Sequence, residues 1–486
     1  MLRDALNLKF IVLIKMLDGH LSHAEGKTLE FKRDLTSPKT LLKTLVAFAN
    51  TAGGKLFVGV SDDRKAIGIS NVLDEEERLC SLIADSIVPR LMPNIEIITV
   101  DNKTLLVVEV FLSGLRPHWI KAEGPQHGVY VRLGSSSRQA DLALIEELRR
   151  TAEGSAFDEL PMPQLSLDDL DLILAKRLFQ NVSKLDDQAL HTLKLVTVCQ
   201  GRLVPTKGAV LLFGKDRNRH FSDAWVQCGR FIGTDKTNIF DHLDIHEPLP
   251  QTVESIMLFL KKHAMRSADF SDIRRKDIWS IPLILLREAV VNALVHADYS
   301  QRGAPIRISF FDDRIEIENP GILLPGMTVA DMRDGISKIR NHVIARVFRE
   351  LNLVEQWGSG VRRIFSEARV LGLPEPQFQE VGMRLRIVVY LAELVLIEDV
   401  TDQVSDQVTD QVTIQIGRLL DCLQDGPLSV REALELLQLR HRRTFMTSYL
   451  KPALEAGLIE MTQPRSPNSP TQKYRLAIRK QEKNEN

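Results

Sequence analysis

Cysteine is scarce. Cys80, Cys199, Cys228 and Cys422 lie far apart in 486 residues and form no CxxC pair, which excludes a disulfide framework and a zinc ribbon. Long apolar runs are missing too. The stretch FIVLIKMLD near the start is broken by Lys15 and Asp18 and has no small-residue cleavage site, so neither a membrane span nor a signal peptide is expected. Charge of one sign is also lacking: 63 Lys and Arg face 64 Asp and Glu, a net charge of -1. A protein that binds nucleic acid over its whole surface would be basic, so any such contact must come from a local patch. No GxxxxGK[ST] loop occurs, so the motor chemistry of a P-loop helicase is excluded. What is present, 44% hydrophobic and 26% charged residues, is the balance of a folded soluble chain. A reducing cytoplasm suits it.

The length predicts three or four domains. Residues 1–160 read as a compact mixed domain: a helix over 40–50, a buried strand in KLFVGV, a second helix near 74–88, and a hairpin turning at Asp101-Asn102-Lys103. Residues 161–279 alternate less legibly, and PTKGAVLLFGKD there reads as turn, buried strand, turn. Over 280–395 the pattern is helix, hairpin, loop and helix, closed by the strand MRLRIVVYL, with a core of its own expected. Residues 396–413 carry valine at 400, 404, 408 and 412, a repeat that reads as a tether or a short oligomerising segment. A small basic domain over 414–478 and a charged tail, 479–486, complete the chain. The fold class is multidomain α+β.

Two places carry chemistry. On a helix, LLREAVVNALVHADYS puts Glu288, Asn292 and His296 at i, i+4 and i+8 on one face among apolar residues. A carboxylate and an amide one turn apart can orient a water and coordinate magnesium beside a triphosphate. Downstream, IRISFFDDRIEIENPGI forms a hairpin that exits at Asn319-Pro320-Gly321. In EQWGSGVRRIF, Gly358 and Gly360 open a helix whose amides can meet phosphate. The second place is EGKTLEFKRD. There Glu25 and Glu30, with Asp62 or Asp63 after the next strand, could hold a divalent ion while Lys32 neutralises a phosphate. Solvated surface carboxylates are the plainer reading. Lys121, Arg132 and Arg138 could contact phosphates or line an ordinary solvated face.

EGKTLEFKRD, AFANTAGGKLFVGVSDD and HGVYVRLGSSSRQA together resemble the Schlafen-type AlbA-like domain across residues 20–150. The resemblance implies nucleic-acid binding and, as an alternative, a metal-dependent nuclease of RNA or DNA using Glu25, Glu30 and Asp62 or Asp63. Gly26 stands where that family usually has serine, and only one lobe is present where Schlafen nucleases pair two.

The segment 280–392 resembles the GHKL ATP-binding fold of gyrase and histidine kinases. By that resemblance Glu288 is the general base and Asn292 the Mg2+ ligand, and Gly358 and Gly360 are the phosphate-side glycines. Asn319 and Gly321 match the adenine box, with Asn319 in place of its aspartate and Leu323 in place of its second glycine.

At the carboxy end, helix, turn, helix, strand, loop, strand is the winged helix-turn-helix order, and KPALEAGLIEMTQP resembles the winged-helix tails of bacterial regulators. Its segment RHRRTFMTSYLK offers Arg440, Arg442, Arg443 and Lys451 to DNA. The whole looks like bacterial AlbA-plus-GHKL proteins, which implies an ATP-binding, DNA-binding transcriptional regulator, in the form of a cytoplasmic homo-oligomer with no membrane partner.

Overall fold

The computed structural model describes residues 21–180, 184–269, 276–279, 281–354, 360–370, 372–391, 419–420, 422–424, 426–437, 445–455, 458–463 and 472–477. They fall into two compact units, Met1–Leu394 and Val395–Asn486.

The first unit begins with a four-stranded sheet in the spatial order Leu29–Lys32, Gly54–Val58, Lys103–Val110, Asn94–Val100. The first two strands run parallel and are joined by the helix Pro38–Asn50, whose proline sits at the helix start where a missing N–H costs nothing. Nine of the ten positions from Leu41 to Asn50 are buried, Lys43 being the exception, so it packs on more than one face. The expected hairpin is present. Asp101 and Asn102 both adopt positive φ, +48° and +59°, which matches the twist of a two-residue turn between antiparallel strands. The strand Tyr130–Leu133 and the helix Leu142–Ala152 complete this lobe.

A six-stranded sheet follows, in the order Asn238–Ile245, Val226–Ile232, Ile306–Phe310, Arg314–Pro320, Arg384–Tyr390, Gln377–Val381. All neighbours are antiparallel except Val226–Ile232 against Ile306–Phe310. Two of its strands therefore come from the segment that reads in sequence as a connector. One hydrophobic cluster runs from Met162 to Leu391 and takes in both. The expectation of a separate core after residue 280 is corrected: residues 226–245 widen the same sheet and cover it.

A second correction concerns Lys207–Phe213, which is a helix and not a buried strand. The run is apolar without a break, so its period cannot separate the two states. Thr206 decides it: its hydroxyl accepts from Ala209 N at 3.2 Å, and every residue from Gly208 to Phe213 is buried.

In the second unit the described residues include the helix Val430–Leu436. Ser429 and Glu432 cap it reciprocally, Glu432 accepting from Ser429 N at 2.7 Å and Ser429 accepting from Glu432 N at 3.3 Å. Helical residues Met446–Glu455 follow, and then the antiparallel strands Ile459–Met461 and Tyr474–Leu476. Leu419, Leu423, Phe445 and Tyr449 anchor its core. The valine repeat, Arg440, Arg442 and Arg443 lie outside the described residues.

Candidate functional site

The helix Leu283–His296 is the centre of the site. Its apolar residues Leu285, Leu286, Ala289, Val290, Val291, Ala293, Leu294 and Val295 are buried. Glu288, Asn292 and His296 are half-buried on the remaining stripe, as their spacing predicts. Asn292 Nδ2 donates to Glu288 Oε1 at 3.0 Å, which fixes both side chains one turn apart. Burial, aided by the nearby Arg340 guanidinium, pushes the His296 imidazole down to about 4, so it is neutral at physiological pH.

Asn292 and His296 line a cavity of about 70 Å3 with Asn319, Gly321, Ile387 and Phe378. Glu288 is not among the lining residues and lies against Gly360. A Cβ on Gly360 would stand 1.7 Å from Glu288 Oε1, so any larger residue at the start of the Gly360–Val370 helix would displace the Glu288 carboxylate. Gly358 lies outside the described residues. Asn319 is buried at the end of its strand, and Gly321 follows at φ +98°, where a side chain would meet the Arg340 guanidinium.

The segment that roofs the cavity, with Leu323, Leu324, Met327, Met332, Ile336 and Lys338, is held from the amino-terminal lobe. Gly326 N donates to Thr51 O at 2.6 Å. Lys27 Nζ pairs with Glu380 at 2.8 Å, and Glu380 also accepts from Leu323 N at 2.9 Å. Arg340 joins the two sides. Its guanidinium donates to His296 O and Ile322 O, and its Nε lies 2.9 Å from Glu147 Oε1 on the Leu142–Ala152 helix. Asn341 donates to Val295 O at 2.8 Å and Ala297 O at 2.7 Å, closing the carbonyl end of the Leu283–His296 helix. Asp158 accepts from the amides of His342, Val343 and Ile344 and opens the His342–Glu350 helix. Arg340, Asn341 and Asp158 were not singled out in sequence. An arginine and an asparagine ahead of an amphipathic helix read as solvent-facing, and no local pattern marks them as buried.

The amino-terminal acids do not meet. Glu30 is 5% exposed and its carboxylate is taken by Arg132 at 2.8 Å and by Lys32. Glu25 accepts from Phe31 N at 2.9 Å, while Asp62 and Asp63 are exposed on a turn. Among the described residues no group of three His, Cys, Asp or Glu side chains could hold a metal ion. Arg132 is corrected as a phosphate contact: at 1% exposure it donates to Gly26 O and Glu30 and lies over the Phe48 ring. Arg138 and Lys121 are exposed. In the second unit Lys451 is exposed, while Lys473 pairs with Glu432 at 3.2 Å.

Residues 25–141 match the family model described as Schlafen, AlbA_2. Residues 303–389 match "Putative ATP-dependent DNA helicase recG C-terminal", a match that begins after Glu288 and Asn292. Residues 414–477 match the carboxy-terminal domain of Fic-like proteins, named for filamentation induced by cAMP. No curated protein matches. Among solved structures, the DIP2311 protein of Corynebacterium diphtheriae is 19% identical over 97% of both chains, with a TM-score of 0.41. The amino-terminal domain of a RecG-related protein from Nitrosomonas europaea is 30% identical over 26% of this chain and 92% of its own, with a TM-score of 0.21. A Fic family protein from Desulfovibrio desulfuricans G20 is 17% identical over 70% of this chain and 78% of its own, with a TM-score of 0.14. No helix among the described residues is long and apolar enough to cross a membrane. The chain thus carries, in order, a Schlafen AlbA_2 domain and an ATPase-like domain of the recG carboxy-terminal kind.

Proposed function

We propose that this is an ATP-binding, DNA-binding transcriptional regulator in which nucleotide state modulates nucleic-acid binding. The observation that carries it is that Asn292, hydrogen-bonded to Glu288, and His296 line a cavity whose roof is tied to the AlbA-type lobe. Asn319 and Gly321 would hold the base, and Gly358 and Gly360 the phosphates. Asn292 would bind Mg2+, which when present screens the triphosphate, and Glu288 would orient the attacking water. A cavity of about 70 Å3 is far below the roughly 300–1,000 Å3 of ordinary ligand sites, so nucleotide entry displaces the roof. That movement strains Gly326–Thr51, Lys27–Glu380 and Arg340–Glu147, and through them the AlbA-type lobe.

DNA is read, in this proposal, by residues 414–478 acting as a winged helix, with Arg440, Arg442, Arg443 and Lys451 on the docking side. Residues 1–160, 280–395 and 414–478 act as functional domains, with 161–279 completing the second and 396–413 as tether. The protein works in the cytoplasm as a homo-oligomer. Anisotropy of a promoter fragment should show at least a fivefold change in affinity on adding ATP analogue and Mg2+, the lower end of ordinary coupling. Equal affinity in both conditions refutes the regulatory reading.

The DNA site has its own test. Deleting residues 414–486 should abolish specific binding and leave nucleotide affinity intact. Arg442→Ala and Arg443→Ala should each weaken binding, because neighbours in sequence do not share a helix face. One loss should be base-selective, about 1–3 kcal/mol, and the other uniform, with a salt slope lower by about one. Full-strength specific binding by the truncated chain, read in gel shifts, moves the DNA site elsewhere.

A further inference from the structure

A second cleft, of about 330 Å3, shares Leu324, Lys338 and Arg340 with the Asn292 cavity. Its size falls within the range of small-ligand sites. Arg116, Glu147 and Arg150 reach it from the amino-terminal lobe, and Asp298, Lys338, Arg340 and His342 from the other side. The cations differ in what they already hold. Arg340 is matched by Glu147, His342 Nδ1 stands 3.5 Å from Glu159, and Lys338 donates to Pro325 O. Arg116 and Arg150 have no carboxylate within ion-pair distance among the described residues. Arg116 donates to Ser113 O, and its Nε is buried with no acceptor, a state that costs about 1–3 kcal/mol. Arg150 lies over the Phe157 ring at 5.4 Å, with Lys207 over the same ring at 4.1 Å. Two cations share one aromatic ring with no anion between them.

The floor makes the opposite demand. Asp298 is 2% exposed; its Oδ1 accepts from Ser300 N at 3.1 Å and from Ser300 Oγ, while Oδ2 is buried with no donor. A phosphodiester or a fully ionised phosphate monoester would satisfy the arginines but has no proton for this carboxylate. A hydroxyl has one. We infer that this cleft binds a phosphate ester bearing a free sugar hydroxyl, a ribonucleotide unit, with its phosphate on Arg116 and Arg150 and its hydroxyl on Asp298 Oδ2. A further cleft of about 380 Å3, with Lys207, Arg219 and Arg302, shares Phe157 and Asp298 with the first, so a continuing strand finds more cations along its path. A free phosphorylated ribose and an RNA strand are the two sources of this chemistry, and neither depends on the ATP reading.

The test uses the full chain and probes that lack adenine. Calorimetry should show ribose 5-phosphate binding at least tenfold tighter than inorganic phosphate. Arg150→Glu should weaken it at least tenfold and Arg116→Lys less, while the magnesium-dependent gain in ATP-analogue affinity, which belongs to the Asn292 cavity, stays unchanged in both. Asp298→Asn should erase the preference of ribose 5-phosphate over phosphate. A labelled oligouridylate that loses affinity in the same variants, and exceeds its deoxy counterpart, identifies RNA as the source; a response of ribose 5-phosphate alone identifies the free compound. Unchanged affinity for both probes in Arg150→Glu, or no binding of either by the wild type, overturns the inference. So does a ribose preference that survives Asp298→Asn.

Discussion

Asn292→Ala should lower the magnesium-dependent affinity for a non-hydrolysable ATP analogue by about a hundredfold, or about 2.7 kcal/mol. The amide is set by two features that need no ligand: its position on a stripe otherwise flanked by buried apolar residues, and its 3.0 Å hydrogen bond to Glu288 Oε1. That bond uses the amide's N–H and directs its oxygen away from the carboxylate, the orientation a cation requires. Glu288→Gln keeps an acceptor and the shape that Gly360 packs against, so it should leave affinity within about threefold while stopping any hydrolysis. Calorimetry with and without Mg2+ separates the two variants. Equal affinity of Asn292→Ala and wild type in Mg2+ would remove Asn292 from the site, and a large loss in Glu288→Gln would turn the proposed base into a binding residue.

The stripe on the Leu283–His296 helix was legible because a period of 3.6 places polar residues at every fourth position of an apolar run, and each such run has one reading. The 94–110 hairpin was legible because Asp-Asn accepts the left-handed torsions that its turn imposes. Lys207–Phe213 was not, since an unbroken apolar run fits a buried strand and a buried helix alike, and only the Thr206 cap separates them. The shared sheet was also hidden. Val226–Ile232 joins Ile306–Phe310 across some 80 residues of sequence, and no local pattern encodes which strand a strand will meet.

The amino-terminal acids show why residue type alone does not make a metal site. Glu25, Glu30 and Asp62 have the right oxygens, but Glu30 is spent on a buried guanidinium, and the turn carries Asp62 and Asp63 into solvent. Lys27 is likewise spent: burial lowers its pKa while the Glu380 carboxylate works to raise it. Arg132 is here an internal strut of the lobe and Lys27 its attachment to the cavity roof, while Lys121 and Arg138 stay exposed.

The largest stability effect is expected at Glu147. It is 4% exposed, and Arg340, its only cationic contact within ion-pair distance among the described residues, is 7% exposed. Above about pH 7, where this carboxyl is ionised, removing it leaves the buried Arg340 charge uncompensated, so Glu147→Ala should cost about 3–5 kcal/mol there and loosen the roof of the proposed nucleotide cavity with it. Glu147→Gln should behave differently. Burial pushes the Glu147 carboxyl up to about 7 against the pull of Arg340, and Arg340 Nε, though 2.9 Å away, makes no aligned hydrogen bond to it. The native state therefore holds this proton over a range where the unfolded chain, with an ordinary carboxyl, has released it. Stability from this group is fully present below about 4.5 and is lost as pH rises through about 7, a change of up to about 3 kcal/mol at roughly 1.4 kcal/mol per unit. Asp158, pushed up to about 6 by burial, adds to the same slope and is untouched by the substitution. His296, held down at about 4, works the other way below about 6.5, so the contribution of Glu147 is read as the difference between wild type and Glu147→Gln. In urea unfolding, the change in stability from pH 7.5 to pH 5 should be less favourable in Glu147→Gln than in the wild type, by up to about 3 kcal/mol. A pH dependence in Glu147→Gln identical to the wild type would mean that Glu147 is ionised throughout, and that Arg340 outweighs its burial.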